Sequence, residues 1–289
     1  ERNYQHEKFF LCVDCFDPHE AWFPPEWYVD RYDAGYQGER IRGPAYRTTG
    51  FCTRRELRHM RALYAATVTL VDRWIGCLLE TVEQMGLFER SLVVLTSDHG
   101  FYLGEHGYVG KVDLRGDFTR WPLLDEMIRV PLIMRAPRIR PTRLNPFVQP
   151  PDIMPTVLDF LGLPVPDTVQ GRSLRPLVRG PRSALGRRAE AVSSWTLVQD
   201  EQVRPPSTLT TREWTFVYGG DEAAHALYHR PSDPAQKRNL FGRERAVAQR
   251  LHRRYIKRLG ELGVPQERIA LREDLDAPRR RARGIRRML

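Results

Sequence analysis

Apolar residues recur at three- and four-residue steps from Leu57 through Met60, Tyr64, Val68, Val71, Ile75, Leu78 and Val82 to Met85, the stripe of an amphipathic helix. Thr53-Arg54-Arg55-Glu56 in front of it is a capping box, and Gly86 behind it is a C-terminal stop. The pattern predicts a long core-facing helix over about 53–85. Leu92-Val93-Val94-Leu95-Thr96 then reads as a short buried strand bounded by turn signals. Phe9 to Phe16 has the same hydrophobic strand pattern, and Pro18 stops it. Further on, 131–134 is a strand candidate, 145–155 a Pro-rich surface connection and 152–161 a short helix. Past about residue 182 the pattern changes to isolated strands (Ala191–Thr196, Trp214–Tyr218, Leu227–His229) and a helix over Arg243–Leu262. Helix, strand and Gly-rich loop in that order predict an α/β core over residues 1–181, followed by a smaller α+β subdomain with a basic tail over 182–289.

Composition sharpens this only in part. A hydrophobic content of 41% is ordinary for a globular chain, and no apolar run is expected to span a membrane. The four cysteines have irregular spacing, and alternation within a strand puts Cys12 and Cys15 on opposite faces, so buried free thiols are expected. The net charge of +10 is unevenly spread. Residues 1–181 carry 23 Lys+Arg against 23 Asp+Glu, whereas 182–289 carry 23 against 13. Six arginines fall in the last eleven residues with no interleaved aromatics, which is the composition of a solvated tail and not of a specific nucleic-acid surface.

The chemistry concentrates at 97–111, Ser-Asp-His-Gly-Phe-Tyr-Leu-Gly-Glu-His-Gly-Tyr-Val-Gly-Lys, directly after the strand at 92–96. A carboxylate and an imidazole side by side are donors for a divalent cation, and a lysine twelve residues beyond His99 can hold an oxyanion. A bare Asp-His-Gly is more often a turn-capping Asp beside a surface histidine. The strand in front and Lys111 behind favour a site. His106 with Glu105 lacks the spacing of a zinc-protease helix.

This string resembles the second conserved block of the type I sulfatases of the alkaline phosphatase superfamily. The resemblance implies an alkaline phosphatase-like (sulfatase) α/β core, with Asp98 and His99 as two of the metal ligands and Lys111 as a contact to the substrate oxyanion. Phe9-Phe10-Leu11 through Phe16-Asp17-Pro18-His19-Glu20 is similar to the family block whose histidine touches the scissile ester oxygen, which makes His19 catalytic and substrate-binding. Residues 226–240, with Asp233-Pro234, resemble the C-terminal signature, whose role is structural; 152–158 and 170–174 fit intervening blocks. The resemblance implies a sulfuric-ester hydrolase acting on a small-molecule or carbohydrate sulfate ester, with a divalent metal, calcium before magnesium or manganese. A phosphomonoester, phosphodiester or phosphonate hydrolase of the same superfamily is the second reading, and a non-catalytic fragment or basic binding domain the third.

No Cys/Ser-x-Pro-x-Arg, the motif in which formylglycine forms, occurs among these residues, so the chain offers no nucleophile; no Asp-Asp pair occurs either. In the family both precede the block at 9–20. The expectation is therefore an incomplete core, a C-terminal portion with the formylglycine and remaining ligands upstream, in a cytoplasmic or periplasmic bacterial enzyme.

Overall fold

The computed structural model describes residues 8–114, 119–179, 188–195, 204–220 and 223–277. The expected boundary at 181/182, Thr196 and the basic tail from 279 onward lie outside them. The chain divides into two compact units, Glu1–Ala45 with Gly50–Met85, and Tyr46–Thr49 with Gly86–Leu289.

The first unit is built from α1 (Glu26–Asp33) and α2 (Arg54–Gln84). The capping box forms as expected: the Thr53 amide donates to Glu56 Oε2 at 2.7 Å, and the Glu56 amide to Thr53 Oγ1 at 3.2 Å. Gly86 follows in the left-handed region at φ 64°. The N-terminal half of α2 buries Met60, Leu63 and Ala66, and His59 stacks on Tyr36 at 3.7 Å while its Nδ1 meets Asp33 at 3.0 Å. The apolar stripe does not stay buried, however. Val68, Trp74 and Leu78 are exposed, and Val71, Ile75 and Val82 are only half-buried. By length and composition α2 could cross a membrane. Asp72 and Arg73 sit near the middle of that helix, where a bilayer penalises charge most.

Residues 8–16 form no strand. Phe10, Leu11, Val13 and Phe16 are exposed coil, and Cys12, Cys15 and Cys77 are exposed while Cys52 is half-buried, contrary to the expected buried thiols. Hydrophobic pattern alone does not make a strand. A ladder partner must satisfy its backbone, and none lies along this segment among the described residues.

The second unit contains β1 (Arg47–Thr48), β2 (Val93–Thr96), β3 (Tyr102–Leu103), β4 (Tyr108–Gly110), β5 (Val112–Asp113), β6 (Thr119–Arg120), α3 (Asp125–Ile128), β7 (Leu132–Arg135), α4 (Ile153–Leu161) and α5 (Arg175–Arg179). These are followed by β8 (Glu190–Ser194), β9 (Ser207–Thr211), β10 (Trp214–Tyr218), β11 (Ala226–His229), α6 (Arg245–Glu261) and α7 (Gln266–Ala270). Every described ladder is antiparallel: β1-β4-β3, β2-β7, β5-β6, and the four-stranded order β11-β10-β9-β8. Strand β10 alternates between two cores. Phe216 and Tyr218 pack with Leu251, Tyr255 and Leu259 of α6, whereas Val217 packs with Tyr102, Trp121, Leu124 and Met127. The segment 145–155 is not wholly a surface connection, since Asp152 is fully buried in an ion pair with Arg188.

Two stability effects follow. Thr53→Ala removes one cap of α2 and should cost about 1 kcal/mol, read as faster amide exchange in the first turns of that helix with the second unit unchanged. Phe216→Ala should cost about 3–5 kcal/mol in urea unfolding of the second unit, because it empties the sheet–α6 core.

Candidate active site

Strand β2 ends at Thr96, whose hydroxyl donates to the Pro131 carbonyl at 2.9 Å and ties the strand end to the start of β7. The chain then turns through Ser97, Asp98, His99 and Gly100. The Asp98 carboxylate accepts the His99 amide at 2.8 Å, and the Ser97 hydroxyl donates to the His99 carbonyl at 3.1 Å. Partial desolvation pushes the Asp98 carboxyl upward. The His99 amide, the His99 imidazole, its own amide and the Ser97 hydroxyl outweigh that and hold it below the usual carboxylate value.

His99 Nδ1 lies 2.9 Å from the Gly100 carbonyl, which can only accept, so Nδ1 carries a proton. In the neutral ring Nε2 then holds the lone pair, and it lies 3.4 Å from Asp98 Oδ2. Two ligands about 2.4 Å from one hard cation at a right angle stand about 3.4 Å apart, so the pair has the spacing of adjacent ligands. Both side chains are open to solvent, 82% for Asp98 and 43% for His99. The donor set, one anionic oxygen and one oriented imidazole, fits two positions of a divalent metal. Among the described residues no third His, Cys, Asp or Glu joins them.

Lys111 lies between β4 and β5. Its ammonium stands 5.8 Å from the centre of the Tyr46 ring, and that ring meets Phe101 edge-on at 5.7 Å, two residues beyond His99. Gly110 makes room for Tyr46: its φ is 86°, and a Cβ there would come within 2.6 Å of the ring. The lysine is thus carried on an aromatic platform linked to the donor loop. Sequence reasoning missed Tyr46, and also the partner of His106, whose Nε2 stands 3.3 Å from both carboxylate oxygens of Glu126. Burial raises the Glu126 carboxyl, but His106 prevails and holds it low. The signal available was Gly107, which with Gly104 marks a turn that aims His106 inward at φ 55°.

His19 belongs to the first unit. It sits in a turn whose amide donates to the Phe16 carbonyl at 3.0 Å, and its ring packs on Phe16 at 4.6 Å. Its Nδ1 lies 2.7 Å from the Glu20 carbonyl, which can only accept, so Nδ1 carries a proton. Trp22, buried behind it, donates to the Pro18 carbonyl at 2.9 Å and fixes the turn.

With this geometry in hand, comparison with known proteins is specific. The sequence profile of the family described as Sulfatase matches residues 2–163, and that of the N-sulphoglucosamine sulphohydrolase C-terminal domain matches residues 104–262. An N-acetylglucosamine-6-O-sulfatase of Bacteroides thetaiotaomicron is 31% identical over 185 residues, covering 62% of this chain and 32% of the relative. An ulvan-active sulfatase of Formosa agariphila is 29% identical over 205 residues, covering 69% and 39%. The chain therefore spans about a third of the length of these curated relatives. A solved protein in complex with its substrate D-glucosamine-2-N,6-O-disulfate superposes with TM-score 0.61 at 25% identity, over 78% of this chain and 45% of that one. A phosphonate monoester hydrolase from Silicibacter pomeroyi gives 0.62 at 25%, over 84% and 50%. The fold is the alkaline phosphatase-like α/β fold of sulfatases and phosphonate hydrolases. The Sulfatase profile covers more than half of the residues, and the chain belongs to the sulfatase family.

Proposed function

We propose that this chain supplies part of the active site of a hydrolase of carbohydrate sulfate esters. The observation that carries the reading is the oriented donor pair at the end of β2, Asp98 Oδ2 and His99 Nε2 at 3.4 Å, with His99 Nδ1 committed to the Gly100 carbonyl. Asp98 and His99 would hold two positions of a divalent cation, calcium by the family resemblance, and such a cation would supply charge stabilisation for the oxygens of a tetrahedral ester. Lys111 binds one of those oxygens through its ammonium, which the Tyr46 ring supports without neutralising. His19 is assigned a proton at Nε2 for the departing alcohol, on the strength of its motif. The nucleophile comes from outside these residues, as a formylglycine in the family pattern.

Sugar esters are favoured because two relatives of this chain are named for N-acetylglucosamine-6-O-sulfate and ulvan. A phosphonate monoester presents the same tetrahedral oxygens, and Lys111 with a cation would accept it too. The Sulfatase profile tips the reading to sulfate.

Titrating Mn2+ into the 15N-labelled 289-residue protein should broaden the amide signals of 97–100 first, and Asp98→Ala should raise the Mn2+ needed by more than about tenfold. Broadening elsewhere, or indifference to Asp98→Ala, would remove the metal assignment. The same protein should show no turnover of an aryl or sugar sulfate. Hydrolysis that disappears in Lys111→Ala would overturn the external nucleophile and leave Lys111 in its role.

A further inference from the structure

The donor loop is held from behind by a chain of contacts that begins more than a hundred residues later. The Gly100 amide donates to the Met127 carbonyl at 2.8 Å. A Cβ on Gly100 would fall 1.9 Å from the Glu126 carbonyl oxygen. The backbone of α3 is therefore pressed directly on the residue whose own carbonyl orients His99.

Helix α3 has only four residues and cannot hold that place unaided. Its N-cap, Leu124, offers no side-chain acceptor, so the first amide, that of Asp125, needs a partner from elsewhere. Gln236 provides it: Asp125 N–H donates to Gln236 Oε1 at 3.0 Å. The Gln236 amide nitrogen returns bonds to Asp125 Oδ1 at 3.3 Å and Thr215 Oγ1 at 2.9 Å. Arg230 Nη1 donates to the same Asp125 Oδ1 at 3.0 Å and to Thr215 Oγ1 at 3.2 Å.

Gln236 is only 2% exposed and sits at φ 52°, a backbone conformation that persists only where its surroundings impose it. The Asp233-Pro234 turn imposes it. Asp233 accepts the amides of Lys237 at 3.0 Å and Arg238 at 2.8 Å, and its carbonyl accepts that of Gln236 at 3.0 Å.

We propose that Gln236, with Arg230, is a positioning residue for the metal donors: by capping α3 through Asp125 it clamps Met127 and Glu126 on Gly100, and so sets the Asp98–His99 geometry. The role gives the C-terminal signature a direct part in the site, and it rests on the metal assignment made above. A glutamine is required by charge. It presents an acceptor to the Asp125 amide and donors to the Asp125 carboxylate, whereas glutamate would set two carboxylates against each other.

The test uses amide hydrogen exchange on the metal-free 289-residue protein. Gln236→Glu and Gln236→Ala should each lower protection of the Gly100 amide by about tenfold or more, while Phe216 and Val217 in the β9–β10 ladder keep theirs. Arg230→Gln, which leaves the cap in place, should give a smaller fall and serves if both Gln236 variants fail to fold. Unchanged Gly100 protection, or a loss shared equally with β10, would overturn the clamp. In the Mn2+ titration, Gln236→Glu should need about tenfold more Mn2+ to broaden 97–100. Asp98→Ala leaves the α3–Gly100 contact in place and should lower Gly100 protection less than Gln236→Glu does. Failure of the metal assignment therefore shows in the Asp98 titration alone, and failure of the clamp in Gly100 exchange.

Discussion

The second unit depends on a strand that is buried on both faces. Strand β10 sends Phe216 and Tyr218 into the α6 core and Thr215 and Val217 toward α3, Tyr102 and Trp121. Burial on both sides removes the usual polar face, and with it any freedom of register. A slip of one residue would bring Phe216 to the site of Thr215, leaving Gln236 and Arg230 facing a ring, and would drive the Thr215 hydroxyl into an apolar core. The same strand therefore fixes the sheet and the height at which α3 meets the donor loop. Through Met127, which packs in the Val217 core and whose carbonyl holds Gly100, that constraint reaches His99.

Much of this was legible where local chemistry and burial agree. The capping box and Gly86 marked α2 to within a residue, and the apolar run Trp214–Tyr218 is β10 itself. Strand β9 was not legible. Ser207-Thr208-Leu209-Thr210-Thr211 reads as polar, yet all five are buried, and Thr208 reaches the Leu123 carbonyl at 2.7 Å. Hydroxyls such as that of Thr208 suit a buried strand when a distant carbonyl accepts them, which no window of sequence reveals. The reverse error occurred at 8–16 and in the second half of α2, where hydrophobic period implies a face but not the surface that covers it.

The site divides along the same line. Asp98, His99 and Lys111, the residues proposed for the chemistry, stand out because they lie within fifteen residues beside a strand, and what each could do can be named from its type. Tyr46 and Glu126 escaped notice because their roles exist only in three dimensions: one is a ring under an ammonium, the other a carboxylate on an inward-turned imidazole. Gln236 was harder still. In the sequence it is one polar residue after an Asp-Pro turn, and its partner Asp125 is 111 residues away.

That distance suits the chemistry. A loop that is to hold a cation through Asp98 and His99 must keep those two donors at a fixed spacing. Local hydrogen bonds orient His99, but they move with the loop and cannot fix its place. A support that does so must be rigid on its own account. The β10–α6 core, with Phe216, Leu251 and Tyr255 fully buried, has that rigidity and lies outside the loop. Transmitting it through backbone carbonyls of a four-residue helix, and not through a flexible side chain, leaves little slack between the core and Gly100. The glycine is the point where the two must touch, and any larger residue there would push the donors away from the support that aligns them.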